Sequence, residues 1–236
     1  MIMTEGKNRF LQEKGLSFFG VVTASLSHEI NNAIAIIGEL SGLLDDLLYA
    51  AEQGRPLNVE KFKEISGKIG KQVKKGQGII KRLNRFAHSV DEPVREFNLV
   101  DLLEQIFMIA ERFAFLKGVN LQTVFANDSI MIRSNPFTLQ QAIFTCIEVA
   151  LVASEKGATV DVALKSNGGG ARIALTSAPI PKTDEIDAKL LFLSTLMGEL
   201  GGKVEIVAVD DKNYSLTLSV PRWLPAENIH DAGKPK

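Results

Sequence analysis

Apolar side chains recur at helical spacing through the first 92 residues. From Leu26 to Ala51 they advance by four and three residues, which is the a/d pattern of a helix packed lengthwise in a bundle. Gly54-Arg55-Pro56 breaks this helix, Asn58 can cap a second one, and Pro93 limits its end. The a/d positions are Leu26, Ile30, Ala33, Ile37, Leu40, Leu44, Leu47 and Ala51, then Phe62, Ile65, Ile69, Gln72, Gly76, Ile79, Leu83, Phe86 and Val90.

Two antiparallel helices form a hairpin that cannot bury broad apolar faces by itself. Leaving one a/d stripe in water would cost on the order of 10 kcal/mol, at roughly 1.5–3 kcal/mol for each large side chain. The pattern therefore predicts a homodimer in which two hairpins form a four-helix bundle. Packing of the hairpin against the rest of its own chain is the alternative.

Beyond Pro93 the helical spacing gives way to alternating helices and short strands. The order αββαββαββ predicts a layered α/β sandwich, with one mixed sheet covered on one face by helices. The fold class is thus α+β, with a helical hairpin over 1–92, a sandwich over 95–222 and a loose tail over 223–236. The predicted helices are Phe97–Leu116, Pro136–Glu155 and Asp184–Leu200, and the predicted strands are Leu121–Ala126, Ile130–Arg133, Thr159–Leu164, Ala171–Thr176, Lys203–Val209 and Tyr214–Val220.

Composition narrows the class of protein. The chain has 236 residues, 45% of them hydrophobic and 23% charged, which argues against wholesale disorder. A net charge of −1 gives no reason to expect nucleic-acid or membrane-surface binding. A single cysteine, Cys146, excludes an intrachain disulfide and a cysteine-based zinc cluster. Polar residues interrupt the apolar stretch 15–30, so we predict no membrane span and a cytoplasmic protein.

The segment Ser27-His28-Glu29-Ile30-Asn31-Asn32 carries the candidate chemistry. On a helix, His28 lies about 160° from both Leu26 and Ile30, so it points to solvent if those two face the bundle core. Asn32 follows one turn later on the same face. Glu29 could accept the Nδ1 proton and leave Nε2 as a nucleophile. An outward histidine is, however, more often an ordinary surface residue.

Ser27-His28-Glu29-Ile30-Asn31-Asn32 resembles the phosphoacceptor box of dimeric sensor histidine kinases. Three later segments resemble that family's nucleotide-binding α/β sandwich, and they occur in the family's order. They are Phe97-Asn98-Leu99, Asn135-Pro136-Phe137-Thr138-Leu139-Gln140-Gln141-Ala142-Ile143 and Leu200-Gly201-Gly202-Lys203-Val204-Glu205-Ile206. The resemblance spans nearly the whole chain and implies that His28 is a phosphoacceptor.

The chain departs from the family where the nucleotide would bind. Val149 stands where the family has its magnesium-holding asparagine, and the side chain of neighbouring Glu148 points about 100° away on a helix. The strand that should lead into the adenine-binding Asp and glycines runs instead into Ser177-Ala178-Pro179. The interval before Gly201 and Gly202 holds one helix and no phosphate-covering lid. We therefore expect no bound ATP and no metal of its own.

A histidine hairpin beside a degenerate nucleotide domain resembles histidine phosphotransferases derived from kinases. That resemblance implies a protein that relays phosphoryl groups between response-regulator aspartates through His28. Glu29 would be the base that orients the ring, and Asn32 would position water for phosphatase-type hydrolysis. The partners implied are a second copy of the chain, receiver domains that bring their own Mg²⁺, and an upstream histidine kinase. The alternatives are a divergent ATP-dependent histidine kinase and a non-catalytic receiver-binding pseudokinase or phosphatase.

Other features have simpler interpretations. Gly168-Gly169-Gly170 lies between two strands, so a hairpin turn is favoured over a phosphate cradle. Nine lysines and arginines of the second helix form a solvated face or, in part, steer an acidic receiver toward His28. His88 falls at the predicted end of the second helix, where a favourable interaction with the helix dipole is sufficient to explain it. Trp223 and the phenylalanines of the helix from Phe97 are predicted core residues. The nine cations are Lys61, Lys63, Lys68, Lys71, Lys74, Lys75, Lys81, Arg82 and Arg85.

Overall fold

The computed structural model of the chain describes residues 2–124, 129–210 and 213–224, with side chains from residue 6 onward. The chain divides into two compact units, Met1–Ala87 and His88–Lys236. The first is helical, and the second is a layered α/β unit. This confirms the predicted α+β class and the order of its two parts.

The helical unit is a hairpin of two long helices, α1 (Ile2–Glu52) and α2 (Val59–Ala87). The predicted cap is present, since Asn58 Oδ1 accepts a hydrogen bond from the backbone N–H of Lys61 at 3.0 Å. Gly54 has φ of 84° and makes the reversal possible. Phe86 near the end of α2 packs edge-on against Phe18 of α1, with ring centroids 5.5 Å apart. The two helices are therefore antiparallel.

The a/d stripe of α1 faces α2, and a second apolar face lies beside it. Leu26 and Ala33 are buried, and the later a/d positions are half-buried. Off the stripe, Ile34, Leu48 and Tyr49 are exposed apolar side chains. Such a face is what the predicted homodimer would cover. The dimer itself stays a prediction.

The α/β unit begins with a 3-10 turn, His88–Val90, and contains three helices and seven strands within the described residues. The helices are α3 (Leu99–Lys117), α4 (Pro136–Ala153) and α5 (Asp184–Glu199). The strands are β1 (Arg95–Asn98), β2 (Asn120–Val124), β3 (Met131–Ser134), β4 (Thr159–Ser166), β5 (Gly170–Ser177), β6 (Lys203–Ala208) and β7 (Tyr214–Pro221).

The strands form two sheets, where the sequence predicted one. Five strands pair in the order β2-β4-β5-β7-β6, with β2 parallel to β4 and the other pairs antiparallel. The strand predicted at Ile130–Arg133 does not pair with β2. It lies in β3 and pairs with β1 in a separate two-stranded sheet. The predicted turn Asn127-Asp128 lies outside the described residues.

Strand β1 was not predicted from the sequence, which assigned its Phe97 to a helix. It has four residues, and only Phe97 among them is apolar. So short a stretch shows no alternation that local pattern could detect. Asn98 then caps α3, since its Oδ1 accepts from the backbone N–H of Val100 at 3.1 Å. Helix α3 therefore begins two residues later than predicted.

The predicted β4–β5 and β6–β7 hairpins are confirmed. Leu164, Ile173 and Leu218 form one buried row across the strands, whereas their chain neighbours Lys165 and Arg172 are exposed. Helices α3 and α5 each contact α4, and all three helices contact strands. One face of the five-stranded sheet is therefore the core and the other faces solvent.

Two aromatic residues predicted to be core lie at the surface. Trp223 is 55% exposed and Phe115 is 81% exposed. Trp223 follows β7 and forms an isolated bridge to Arg133, so its backbone is held while its indole is not covered. Phe115 lies in the last turn of α3, on the side away from the sheet. Of the predicted tail 223–236, which contains His230, residues 225–236 lie outside the described residues.

Helix α4 is the central core helix of the α/β unit. Asn135 caps it by accepting from the backbone N–H of Thr138 at 3.0 Å, and Pro136 occupies the first turn. Among the helices searched, only Pro136–Ala153 is long and apolar enough to cross a bilayer, and 72% of it is buried inside the fold. Burial in the core accounts for this apolar composition.

Cys146 lies fully buried on α4, with its Sγ 4.0 Å from the carbonyl oxygen of Leu216. Burial raises the pKa of the thiol well above its ordinary value of 9.0, because the thiolate would lose its hydration. The folded protein therefore keeps a proton that the unfolded chain releases. The resulting stabilisation is complete below pH 9.0 and is lost as the pH rises toward the raised pKa.

We expect the free energy of unfolding to fall by about 1.4 kcal/mol per pH unit through this thiol once the pH exceeds its ordinary pKa. Urea denaturation across this range, on the wild type and on Cys146→Ala, measures the effect. The variant should lose less stability per pH unit, because it differs from the wild type only in lacking the thiol. Equal slopes for the two proteins would contradict the buried, protonated thiol.

Candidate functional site

His28 lies on the outer side of α1, about midway along the helix. It is exposed, as the helical spacing predicts, while Leu26 on the opposite side is buried. Ile30 is half-buried. An imidazole in this position is accessible to another molecule.

Asn32 is the residue that contacts the His28 ring. Its Nδ2 lies 3.1 Å from His28 Nδ1, one helical turn along α1. An amide N–H donates, so with this amide orientation Nδ1 accepts and the ring proton sits on Nε2. Rotation of the amide would present Oδ1 to a proton on Nδ1 instead and leave the Nε2 lone pair free. The orientation of the Asn32 side chain is thus coupled to the tautomer of His28.

The Glu29 carboxylate pairs with Arg82 and not with His28. The sequence placed Glu29 at the Nδ1 proton of His28, but in the structure Glu29 Oε2 lies 3.5 Å from Arg82 of α2. Both side chains are about three-quarters buried, which strengthens the attraction relative to an ion pair in water. The contact at Nδ1 comes from Asn32. Glu29 therefore acts on His28 only after its carboxylate turns away from Arg82.

Arg82 is the member of this group that sequence reasoning did not single out, since it was counted among nine cations of α2. Eight of the nine are exposed, and Arg82 alone is half-buried. The sequence did contain a signal for the Glu29–Arg82 pair. Glu29 directly precedes the a/d residue Ile30 of the first helix, and Arg82 directly precedes the a/d residue Leu83 of the second. Opposite charges flanking facing stripes are typical of interhelical ion pairs.

The exposed cations of α2 form a solvated face. Lys68 lies 2.6 Å from Glu64, one turn away on the same helix. The hydrogen bond from Lys68, with its charge, holds the pKa of Glu64 below its ordinary value. This supports the interpretation of a surface that pairs its charges locally, at least at this position.

Val149, Glu148 and Ser177, which the family resemblance assigns to the magnesium and adenine sites, have structural roles here. Val149 is 0% exposed and offers no oxygen ligand. Glu148 beside it lies 3.3 Å from Lys189 of α5. Ser177 is buried, and its hydroxyl donates to the carbonyl oxygen of Ala178 at 3.1 Å. Val149 is thus a core residue, and the side chains of Glu148 and Ser177 are engaged within the chain.

Gly201 and Gly202 are explained by chain geometry. Gly201 has φ of 63° and ends α5, with its N–H donating to the carbonyl oxygen of Gly198. A Cβ on Gly202 would lie 2.4 Å from the carbonyl oxygen of Ser219 on β7. The segment from β5 to α5 is Ala178–Thr183. Within the described ranges, no group of three or more His, Cys, Asp or Glu side chains could hold a metal ion.

No family model matches the chain. It is similar to sporulation kinase A of Bacillus subtilis (strain 168), with 27% identity over 153 residues, covering 64% of this chain and 23% of that protein. The chain thus spans about a quarter of the length of that curated relative. By this sequence match the chain is histidine kinase-like.

Solved structures similar to the chain include two histidine kinases and a bacterial phosphotransferase. The nucleotide-free catalytic domain of histidine kinase ThkA has a TM-score of 0.49 and 15% identity, covering 57% of this chain and 100% of that one. Histidine kinase AdeS of Acinetobacter baumannii has a TM-score of 0.47 and 13% identity, covering 78% and 95%. A bacterial phosphotransferase has a TM-score of 0.45 and 12% identity, covering 86% and 96%.

Proposed function

We propose that this histidine kinase-like chain is a histidine phosphotransferase that relays phosphoryl groups between response-regulator aspartates through His28, without binding ATP. The observation that carries the proposal is an exposed imidazole whose Nδ1 is in contact with the Asn32 amide. The buried Val149 and the Glu148–Lys189 ion pair support the part of the proposal that concerns ATP. The proposed partners are a second copy of the chain, receiver domains and an upstream histidine kinase.

The transfer step balances without a nucleotide. The donor is an aspartyl phosphate on the receiver, in which the phosphorus is already activated. Nε2 of His28 attacks the phosphorus, the bond from phosphorus to the aspartate oxygen breaks, and the aspartate leaves as a carboxylate. The receiver's own Mg²⁺ and carboxylates supply the charge stabilisation. The reverse step returns the phosphoryl group to a second receiver.

Nε2 can attack only when the ring proton is on Nδ1. That state requires an acceptor at Nδ1, and the site holds two: Asn32 Oδ1 after rotation of the amide, and the Glu29 carboxylate released from Arg82. We assign Glu29 as the base, because a carboxylate stabilises the positive charge that the ring gains on phosphorylation. Asn32 positions water when the phosphoryl group is hydrolysed instead of transferred.

The test is incubation of the chain with a panel of phosphorylated receivers in the absence of ATP. We expect acid-labile, alkali-stable phosphate to appear on this chain. Label that appears only with ATP and Mg²⁺, together with a higher melting temperature in their presence, would identify a divergent kinase. Binding of receivers with no label from either donor would identify a non-catalytic partner. Either result would refute the proposed relay.

Glu29→Gln is expected to slow labelling of His28 about 100-fold, because general-base catalysis contributes on that scale or more. The matched control is Arg82→Gln, which removes the same interhelical ion pair and keeps the carboxylate. Rapid-quench measurement of labelling by one phosphorylated receiver distinguishes the two variants. Equal losses in both would show that Glu29 acts only by pairing with Arg82.

A further inference from the structure

A cleft in the α/β unit remains unused by the proposed transfer. It measures about 560 Å³, within the range of small-molecule sites. It lies among β3, the β4–β5 turn and the residue that follows β7. Its described lining residues are Ser129, Ile130, Met131, Leu164, Lys165, Ser166, Gly168, Gly170 and Arg222. The triglycine turn noted in the sequence is therefore part of its wall.

Backbone hydrogen bonds hold this wall in place. The N–H of Arg222 donates to the carbonyl oxygen of Gly169 at 2.8 Å, and the carbonyl oxygen of Arg222 accepts from the N–H of Arg133 at 2.8 Å. Arg222 therefore joins the glycine turn of the large sheet to β3 of the small one. A cleft built on paired backbone is preformed and loses little entropy on binding.

The charged side chains among the described lining residues are all positive. Among the described lining residues, Lys165 and Arg222 are the charged side chains, and none is a carboxylate. Arg172 lies directly opposite Lys165 in the β4–β5 register, and adjacent like charges on a sheet are unfavourable. In the described part of the chain, none of the three cations forms a salt bridge. An anion would relieve this repulsion.

The remaining lining residues define the rest of a ligand. Ile130, Met131 and Leu164 are apolar, whereas Ser129 and Ser166 offer hydroxyl donors. We propose that the cleft binds a small organic anion, with its phosphate or carboxylate head between Lys165 and Arg222 and its apolar body against Met131. This site is independent of His28 and would make the α/β unit a sensor of a small molecule.

The test uses phenyl phosphate as an amphiphilic probe, inorganic phosphate as the head alone and benzyl alcohol as the body alone. Isothermal titration calorimetry on the full chain should show saturable binding of phenyl phosphate below about 10 mM and weaker binding of the other two. Trp223 is the single tryptophan and lies 5.9 Å from the Arg222 guanidinium, so its fluorescence should change on binding. Absence of saturable binding would refute the site.

Lys165→Gln and Arg222→Gln should each weaken phenyl phosphate binding about tenfold, because each removes a charge-assisted hydrogen bond. Lys182→Gln is the matched control, since it removes an exposed lysine that does not line the cleft. Unchanged melting temperatures would show that the variants fold. Equal affinity in all three variants, or tighter binding of inorganic phosphate than of phenyl phosphate, would contradict the proposed site.

Discussion

His28→Gln is expected to lower the transfer of phosphate from a phosphorylated receiver to this chain about 1,000-fold or more, so that labelling of the variant falls to the background level. Glutamine keeps a polar side chain on the outer face of α1 but has no ring nitrogen that can bond to phosphorus. Because His28 is exposed, its replacement should leave the hairpin intact. The loss would therefore come from the chemistry and not from unfolding.

The control is His88→Gln. His88 is also exposed, and its Nδ1 lies 2.7 Å from Asp91 Oδ2, so it has a carboxylate partner in the structure where His28 has an amide. By local geometry alone His88 is the better-oriented imidazole. We nevertheless expect His88→Gln to be labelled like the wild type. His88 lies in the 3-10 turn His88–Val90 and not in a long helix, and its neighbours do not resemble the phosphoacceptor box around His28.

The measurement is autoradiography of the chain after incubation with labelled receiver, followed by acid and alkali treatment. Far-ultraviolet circular dichroism confirms that each variant keeps its helices. Label that persists in His28→Gln and disappears in His88→Gln would move the acceptor to His88 and overturn the proposed site. Label that persists in both variants would also refute His28 as the acceptor: alkali-stable label would then point to His230, and alkali-labile label to a carboxylate.

Gly170→Ala is expected to lower the melting temperature of the α/β unit by about 2–12 °C. A Cβ at this position would lie 2.0 Å from the carbonyl oxygen of Val220 and 2.9 Å from the backbone nitrogen of Arg222. Both are backbone atoms of the neighbouring segment, so relief requires the β5–β7 pairing to open. Overpacking of this kind costs roughly 1–3 kcal/mol, and each kcal/mol corresponds to about 2–4 °C in a domain of this size.

Gly169→Ala provides the matched control in the same turn. A Cβ on Gly169 would meet nothing within 4 Å, and its φ lies outside the left-handed region. The two substitutions add the same methyl group one residue apart. Differential scanning calorimetry should show a near-wild-type transition for Gly169→Ala and a lower one for Gly170→Ala. Equal transitions would mean that β5 and β7 are not packed as the structure has them.

Much of the fold could be predicted because its signals are local. The four-and-three spacing from Leu26 located the second half of α1, which in the structure begins at Ile2, and it gave the outward direction of His28. Asn58 and Pro136 marked helix starts, and Gly168-Gly169-Gly170 marked a hairpin. Each of these depends on a few consecutive residues and their backbone preferences, which are readable without knowing what lies across the fold.

Errors arose where distant segments meet. The pairing of β3 with β1 instead of β2 depends on which strand edge is available, and no pattern within Met131–Ser134 records that choice. Trp223 was assigned to the core by its size, yet it follows the last strand at a position that no element covers. Apolar character favours burial, but only the surrounding chain provides it.

The sequence by itself determined the two-part α+β architecture, the exposed His28 and the apolar Val149 at the position where the family holds magnesium. Only the tertiary structure decided that Glu29 pairs with Arg82, that Asn32 meets Nδ1 and that Lys165 and Arg222 line one cleft. The physical reason is the separation along the chain over which each kind of interaction acts. Helix periodicity and capping act over one or two turns, whereas ion pairs and clefts join residues tens of positions apart, whose meeting depends on how whole elements pack.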